Sequence, residues 1–187
     1  MATDGRTRLA SRVPPEAALI VDLLNSRRHG AGDMFPDRLD DPETAGVILK
    51  PFGSPEAPTP GRLDAVRGLR GVLVGMVWPQ SATEADTRLV ELDEYASSIT
   101  LRQDFTVPGE VGLRQVGGDP VVGGITRAVA ALMAADQWSR IRICDNEACR
   151  HAFYDTTRSR TQRWHSYEVC GNKANVAAYR ARKKAES

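Results

Sequence analysis

Residues 144–170 have the sequence CDNEACRHAFYDTTRSRTQRWHSYEVC, which contains all three cysteines of the 187-residue chain. Four residues separate Cys144 from Cys149, fifteen separate Cys149 from His165, and four separate His165 from Cys170. Structural zinc takes four Cys or His ligands in a tetrahedron, whereas catalytic zinc keeps one position open for water. The spacing therefore predicts one closed, structural Zn²⁺ site formed by Cys144, Cys149, His165 and Cys170.

Two alternatives to this assignment remain open at the sequence level. His151 also lies close to the cysteines, but it follows Cys149 by only two residues and would duplicate the position of that ligand. We favour His165, which comes from a separate turn. Without a metal, the three cysteines would be buried or reactive thiols, because an odd number cannot close a disulfide framework.

Positive charge is concentrated in the same part of the chain. Residues 1–140 contain 15 Lys and Arg against 19 Asp and Glu, a net charge of −4, whereas residues 141–187 contain 10 against 5, a net charge of +5. This asymmetry indicates a separate basic module with a small core. Aromatic side chains are expected to pack around the metal, namely Phe153, Tyr154, Trp164 and Tyr167. Asp155 is expected to orient His165 or Arg163.

The segment after Cys170 reads GNKANVAAYRARKKAES and predicts a helix from about 171 to 185, because it is rich in alanine and lacks proline. Alanines share one narrow face, and Lys173, Arg180 and Lys184 share another face about 100° away. Such a helix suits a phosphate backbone or a major groove. The predicted DNA-binding residues are Arg158, Arg160, Arg163, Asn172, Lys173, Arg180, Arg182 and Lys184. Alternatively, the basic face is only solvated and favoured by the helix dipole.

These residues resemble the CGNR zinc finger, whose Cys-Gly-Asn-Arg signature corresponds here to Cys170-Gly171-Asn172-Lys173. Two residues depart from the family pattern. His165 stands where the family commonly has Cys. Lys173 replaces the final Arg of the signature, and a lysine cannot make the two parallel hydrogen bonds by which arginine recognises a phosphate or a guanine. The upstream part resembles the companion ABATE domain of stress-induced transcription regulators, through the string Leu23-Leu24-Asn25. The resemblance implies a ligand-binding role for Asn25, which otherwise stands only at a helix end.

The predicted organisation has three parts: a flexible N-terminal arm (1–13), an ABATE-like helical domain (14–139) and a CGNR-type zinc finger (140–187). Hydrophobic periodicity predicts helices over about 15–28, 42–50, 63–78 and 83–96, and a further helix after Pro120. Partial two-residue alternation around Pro108 and Gly109 predicts a β-hairpin, and residues 138–143 a short strand. The expected fold class is mainly α (α+β), with a multihelical N-terminal domain, a small hairpin and a C-terminal zinc module that ends in a basic helix.

We expect a cytoplasmic, DNA-binding transcription regulator in which zinc supports the C-terminal helix. The N-terminal domain would sense a small-molecule effector or bind another protein. The alternative is a zinc-stabilised protein-interaction module without direct DNA contact. A homodimer would suit recognition of two DNA half-sites, although no segment of the sequence indicates a symmetric dimer interface. An enzyme is not expected, because the sequence contains no nucleophile elbow, P-loop, dinucleotide fingerprint or HExxH helix.

A membrane role is not expected either, because no apolar run in the sequence is long enough to form a membrane-spanning helix.

Overall fold

The computed structural model describes residues 13–31, 34–53, 57–109 and 111–185. In these ranges the helices are α1 (Pro15–Asn25), α2 (Pro42–Leu49), α3 (Pro60–Val77), α4 (Ala82–Ser97), α5 (Pro120–Ala134) and α6 (Asn172–Ala185). Antiparallel strand pairs are β1 (Thr100–Asp104) with β2 (Gly112–Gly117), and β3 (Ile141–Ile143) with β4 (Ala152–Tyr154). The predicted mainly α fold class is confirmed. The predicted N-terminal arm lies outside the described residues except for its last residue, Val13.

Short polar side chains fix where most of these helices begin. Asp41 accepts a hydrogen bond from the backbone N–H of Thr44 at the start of α2, and Ser81 accepts one from Glu84 at the start of α4. Asp119 accepts two such bonds at the start of α5. Each bond satisfies a backbone donor that has no partner inside the helix. None of the described helices has the length and apolar character needed to cross a bilayer.

The main core lies where α1, α3 and α5 pack together. Leu23, Leu73 and Ile125 are completely buried in it, with α2 adding Leu49. Full burial of such aliphatic side chains contributes about 1.5–3 kcal/mol each. Helix α1 ends at Asn25 rather than at residue 28, because the backbone N–H of Ser26 bonds the carbonyl of Leu23 and the carbonyl of Ser26 accepts from the N–H of Arg38.

An ion pair between a buried arginine and a partly buried aspartate holds the segment that follows α1 against α3. Arg70 on α3 is 5% exposed and binds Asp37 through two hydrogen bonds, one of them 2.9 Å from Nη1 to Oδ1. The same Nη1 donates to Oγ of Ser26 at 2.7 Å. The segment between Ser26 and Asp37 is therefore attached at both ends, and it carries His29 and Phe35, which stack with 4.6 Å between ring centroids.

The β3–β4 hairpin connects the core to the cysteine-rich segment. The strand predicted over 138–143 is a 3₁₀ turn over Trp138–Arg140 followed by β3, and β4 was not predicted. Alternation along β4 places Ala152 and Tyr154 against the main core and Phe153 among the cysteines. Residues on both sides of the predicted boundary at position 140 therefore share one core.

The predicted hairpin around Pro108 and Gly109 is present as β1 and β2, with Arg102 opposite Arg114 and Gln103 opposite Leu113. Its side chains are largely exposed. Contact with the helices comes through Gln115, which accepts a hydrogen bond from Arg127 of α5 at 2.7 Å.

Candidate metal centre

The first pair of potential ligands lies in the turn that joins β3 to β4. Cys144 immediately follows β3, and its backbone N–H donates to the carbonyl of His151 at 2.8 Å. Asn146 closes the turn, because its carbonyl accepts from the N–H of Cys149 at 2.8 Å and its side chain accepts from Ala148. Arg150 then adopts a positive φ of 54°. This tight turn directs both sulfurs to the same side.

The second pair is presented by a wide helical turn, Tyr167–Gly171, that leads directly into α6. Ser166 begins the turn, with Oγ accepting from the N–H of Val169 and its carbonyl accepting from the N–H of Cys170 at 2.9 Å. A Cβ on Gly171 would lie 2.7 Å from the ring of Tyr167 and 3.0 Å from that of Trp164. A larger residue after Cys170 would therefore have to displace the ring of Tyr167.

Cys144, Cys149, His165 and Cys170 converge at one point. One ligand atom from each lies within 4.8 Å of every other. Nδ1 of His165 is 3.4 Å from Sγ of Cys149 and 3.6 Å from Sγ of Cys170. Zn–S bonds of about 2.3 Å and a Zn–N bond of about 2.0 Å at a tetrahedral angle require about 3.5 Å between N and S. The donor set and its spacing thus fit one structural zinc ion, as predicted.

Burial keeps the cysteine thiols of this cluster protonated when no metal is bound. Cys144 is completely buried, and Cys149 and Cys170 are 8% and 2% exposed. In the metal-free protein burial raises the pKa of Cys149 to about 12 and also raises that of Cys144. Zinc binds thiolates, so its charge offsets that of the sulfurs and metal binding releases protons. A bound ion would cross-link β3, the following turn and the start of α6.

Arg27, which lies two residues beyond the end of α1, contacts the turn that carries Cys144 and Cys149. It donates to the carbonyl of Leu24 and to the carbonyl of Arg150, both at 2.6 Å. Burial, with a smaller contribution from the charge of Arg70, lowers the pKa of Arg27 to about 10, so the guanidinium is still charged at neutral pH. It is therefore a fixed positive charge beside the thiolates.

A chain of hydrogen bonds also links α1 to the metal-binding hairpin, and this chain was not predicted. Asn25 accepts from the N–H of Ala152 at 2.7 Å, donates to the carbonyl of Ala152, and donates to Nε2 of His151 at 3.0 Å. Nδ1 of His151 bonds Nε2 of His29 at 3.2 Å, and Nδ1 of His29 bonds the carbonyl of Arg27. Burial lowers the pKa of His151 to about 4 and lowers that of His29, so both are neutral near pH 7.

Two sequence-level expectations for this region are wrong. Asp155 contacts neither His165 nor Arg163: its carboxylate accepts from Thr157 and from the N–H of Gln162 at 2.9 Å, and so shapes the loop between the ligand pairs. Two of the four aromatic residues expected around the metal are not there. Tyr167 is 63% exposed and its hydroxyl accepts from Asn175, and Tyr154 packs against the main core because it faces the opposite side of β4 from Phe153. Phe153 and Trp164 do pack with the cysteines as expected.

The predicted DNA-binding residues fall into two structural groups. In the loop, Arg160 pairs with Asp136 and Arg163 pairs with Asp145, each at 2.7 Å. Arg158 is exposed, and no ion pair involves it among the described residues. The remaining predicted residues lie on α6 and are exposed: Asn172, Lys173, Arg180, Arg182 and Lys184. Helix α6 continues directly from the Tyr167–Gly171 turn, so its first residues lie next to Cys170.

The ligand assignment can be tested with the two competing histidines. We expect His165→Ala to lower zinc affinity by more than about 100-fold, because it removes a direct ligand, whereas outer-sphere changes cost about 10–100-fold. His151→Ala is the matched control and should retain one zinc per chain. Competition with a chromophoric chelator measures both, and equal losses would reject His165 as the ligand.

Comparison with known proteins agrees with the geometry. No curated protein matches the chain. The resemblance of residues 14–139 to the ABATE domain has no support from a family match and stays a prediction. Residues 140–183 match the CGNR zinc finger family, and all four converging ligand residues lie within this segment.

Proposed function

We propose that the chain is a DNA-binding transcription regulator in which a zinc-clamped C-terminal module presents α6 to the phosphate backbone. The observation that carries this proposal is the exposure of Lys173, Arg180, Arg182 and Lys184 on a helix whose first turn is fixed by Cys170. A rigid attachment lowers the entropic cost of placing these cations against phosphates. Within this proposal, residues 14–139 sense an effector or bind a partner, and no catalytic step is assigned.

The loop arginines have a different part in this proposal. Arg160 and Arg163 are engaged by Asp136 and Asp145, so their charges are partly neutralised within the protein. Both pairs are exposed and therefore weak, so phosphate could compete for either guanidinium. We therefore expect α6 to make the dominant contribution and the loop a smaller one.

The test is a triple variant, Lys173→Ala, Arg180→Ala and Lys184→Ala. We expect it to retain zinc and to lose most duplex DNA binding, with the slope of log K against log salt reduced by about 3, since each phosphate contact contributes about 0.9. Fluorescence anisotropy with a labelled duplex at several salt concentrations measures this.

The matched control removes three exposed cations from elsewhere, through Lys50→Ala, Arg102→Ala and Arg114→Ala. It changes the net charge equally, so it should leave the salt slope within about one unit of wild type if contacts are local. Equal slopes for wild type and the α6 variant would remove this helix from the interface.

A protein-interaction module is the second candidate. It is favoured by apolar residues that accompany the cations of α6, since Val176 and Tyr179 are 48% and 60% exposed. Such a face would suit an acidic partner with an apolar centre. The same titration separates the two functions, because a module of this kind shows no binding to arbitrary duplex at low salt.

A further inference from the structure

A cavity of about 710 Å³ lies between α1, the segment carrying His29 and Phe35, strand β4 and the metal centre. This volume is in the range of sites that hold small organic molecules. Its walls are mainly apolar, formed by Val13, Ala18, Val21, Phe35, Pro36 and Phe153. The stacked rings of Phe35 and His29 give one wall a flat aromatic face.

The polar groups on the α1 side of this cavity are already used within the protein. Both ends of the Asn25 amide are bonded to Ala152, and the amide nitrogen also donates to His151. Since Nε2 of His151 accepts, Nδ1 carries its proton and donates to His29, which in turn donates to the carbonyl of Arg27. This chain fixes the shape of the cavity and offers a ligand no spare donor.

His165 differs from these residues because one of its ring nitrogens has no protein partner among the described residues. Nδ1 faces Sγ of Cys149 and of Cys170, and the residue also lines the cavity. With Nδ1 on the metal, the ring proton is on Nε2. Histidine ligands of zinc nearly always donate this N–H to an acceptor. Within the part of the chain that the structure describes, no hydrogen bond from Nε2 of His165 is present, so the acceptor position is open to water or to a bound molecule that displaces it.

Charge balance favours a neutral ligand at this donor. Three thiolates and one neutral imidazole around Zn²⁺ give the centre a formal charge of −1, which the guanidinium of Arg27 partly offsets. Among the described residues that line the cavity, Arg38 is the one cationic side chain that a carboxylate could pair with. At the cavity rim Arg38 is paired with Asp22 at 2.8 Å, so its charge is already balanced. A carboxylate would therefore have to displace Asp22 to find a cation, whereas a carbonyl oxygen can accept the hydrogen bond without one.

We propose that the cavity binds a small, neutral aromatic molecule whose carbonyl oxygen accepts a hydrogen bond from Nε2 of His165. This inference rests on the proposed function, since the molecule would be the effector of the regulator. Binding of the molecule in this cavity could also change DNA binding by α6. His165 and Cys170 bracket the turn from which α6 starts, so a hydrogen bond to His165 acts directly on the orientation of that helix.

Two probes of the same shape test the hydrogen bond: acetophenone, which has a carbonyl, and α-methylstyrene, in which a methylene replaces the oxygen. We expect acetophenone to bind wild-type protein about tenfold more tightly, as one hydrogen bond to a metal-polarised donor implies. In His165→Cys the zinc set becomes four cysteines and the donor is lost, so the two probes should bind equally. Chemical-shift titrations of the zinc-loaded full chain measure these affinities.

Ala18→Trp is the control for location, because an exposed residue on α1 at the cavity is replaced by a side chain that occupies it. It should abolish binding of both probes while preserving zinc. The proposal is overturned if neither probe binds wild type, if His165→Cys keeps the preference for acetophenone, or if benzoate binds more tightly than acetophenone. DNA binding by unliganded wild type is measured separately, so a failure of the cavity and a failure of the DNA proposal are distinguishable.

Discussion

Replacing Cys149 or Cys170 with serine is expected to release zinc and to unfold the C-terminal module beyond β4. Structural zinc contributes about 10–16 kcal/mol in zinc-finger peptides, far more than the packing of Phe153 and Trp164 can replace. Each remaining ligand would also be left buried beside other thiols. Hydrogen exchange should show lost protection over residues 155–185, accompanied by loss of helical circular dichroism from α6.

The main core provides an internal control for this result. Ile141, Ile143 and Ala152 belong to the main core, and Asn25 holds β4 through two hydrogen bonds to Ala152 and bonds His151 through a third. Protection of α1, α3 and α5 should therefore persist after metal loss. Chelation followed by addition of zinc should restore the module in wild type and not in the variants. Unchanged exchange in metal-free wild-type protein would contradict a structural role for the ion.

Arg70→Ala is expected to destabilise the chain by about 2–3 kcal/mol, because Asp37, whose side chain is 17% exposed, loses its charged hydrogen-bond partner. The loss should also loosen the segment between Ser26 and Asp37, which forms one wall of the cavity. Denaturant unfolding measures the change. Arg67→Ala is the control, since its ion pairs with Asp40 and Asp64 are exposed and worth about 1 kcal/mol or less.

The same variant has a defined pH dependence. Burial alone would raise the pKa of Asp37, but hydrogen bonds from Arg70 and from the N–H of Leu39 outweigh it and lower the pKa. A carboxylate with a lowered folded-state pKa stabilises the protein above its unfolded pKa of about 3.9, and this stability is lost as the pH falls through the folded value. The difference between wild type and Arg70→Ala should therefore shrink below about pH 4. A constant difference from pH 7 to pH 3 would show that the ion pair does not cause it.

The metal centre was predictable because its signal is local. Each ligand pair spans a single turn, so chain spacing alone indicated which residues could meet, and the choice of His165 over His151 followed from the same argument. The helices were predictable for the same reason, since hydrophobic periodicity and capping residues such as Asp41 and Ser81 act within a few residues.

Contacts between distant parts of the chain were not predictable in this way. Asn25 bonds residues 126 and 127 positions away, and no local pattern marks His29 or His151 as its partners. Strand β4 was missed because it has only three residues and gains its burial from α1. The role of Asp155 was misassigned because proximity in sequence to His165 suggested a contact, whereas the fully buried carboxylate organises its own loop.

Zinc K-edge X-ray absorption of the freshly purified, reduced full chain tests the central claim most directly. The structure predicts one zinc per chain with three sulfur neighbours at about 2.3 Å and one nitrogen neighbour at about 2.0 Å. His165→Cys should convert this shell to four sulfurs. A protein without zinc, or a wild-type shell with fewer than three sulfurs or with water as a ligand, would contradict a closed metal centre at the base of α6.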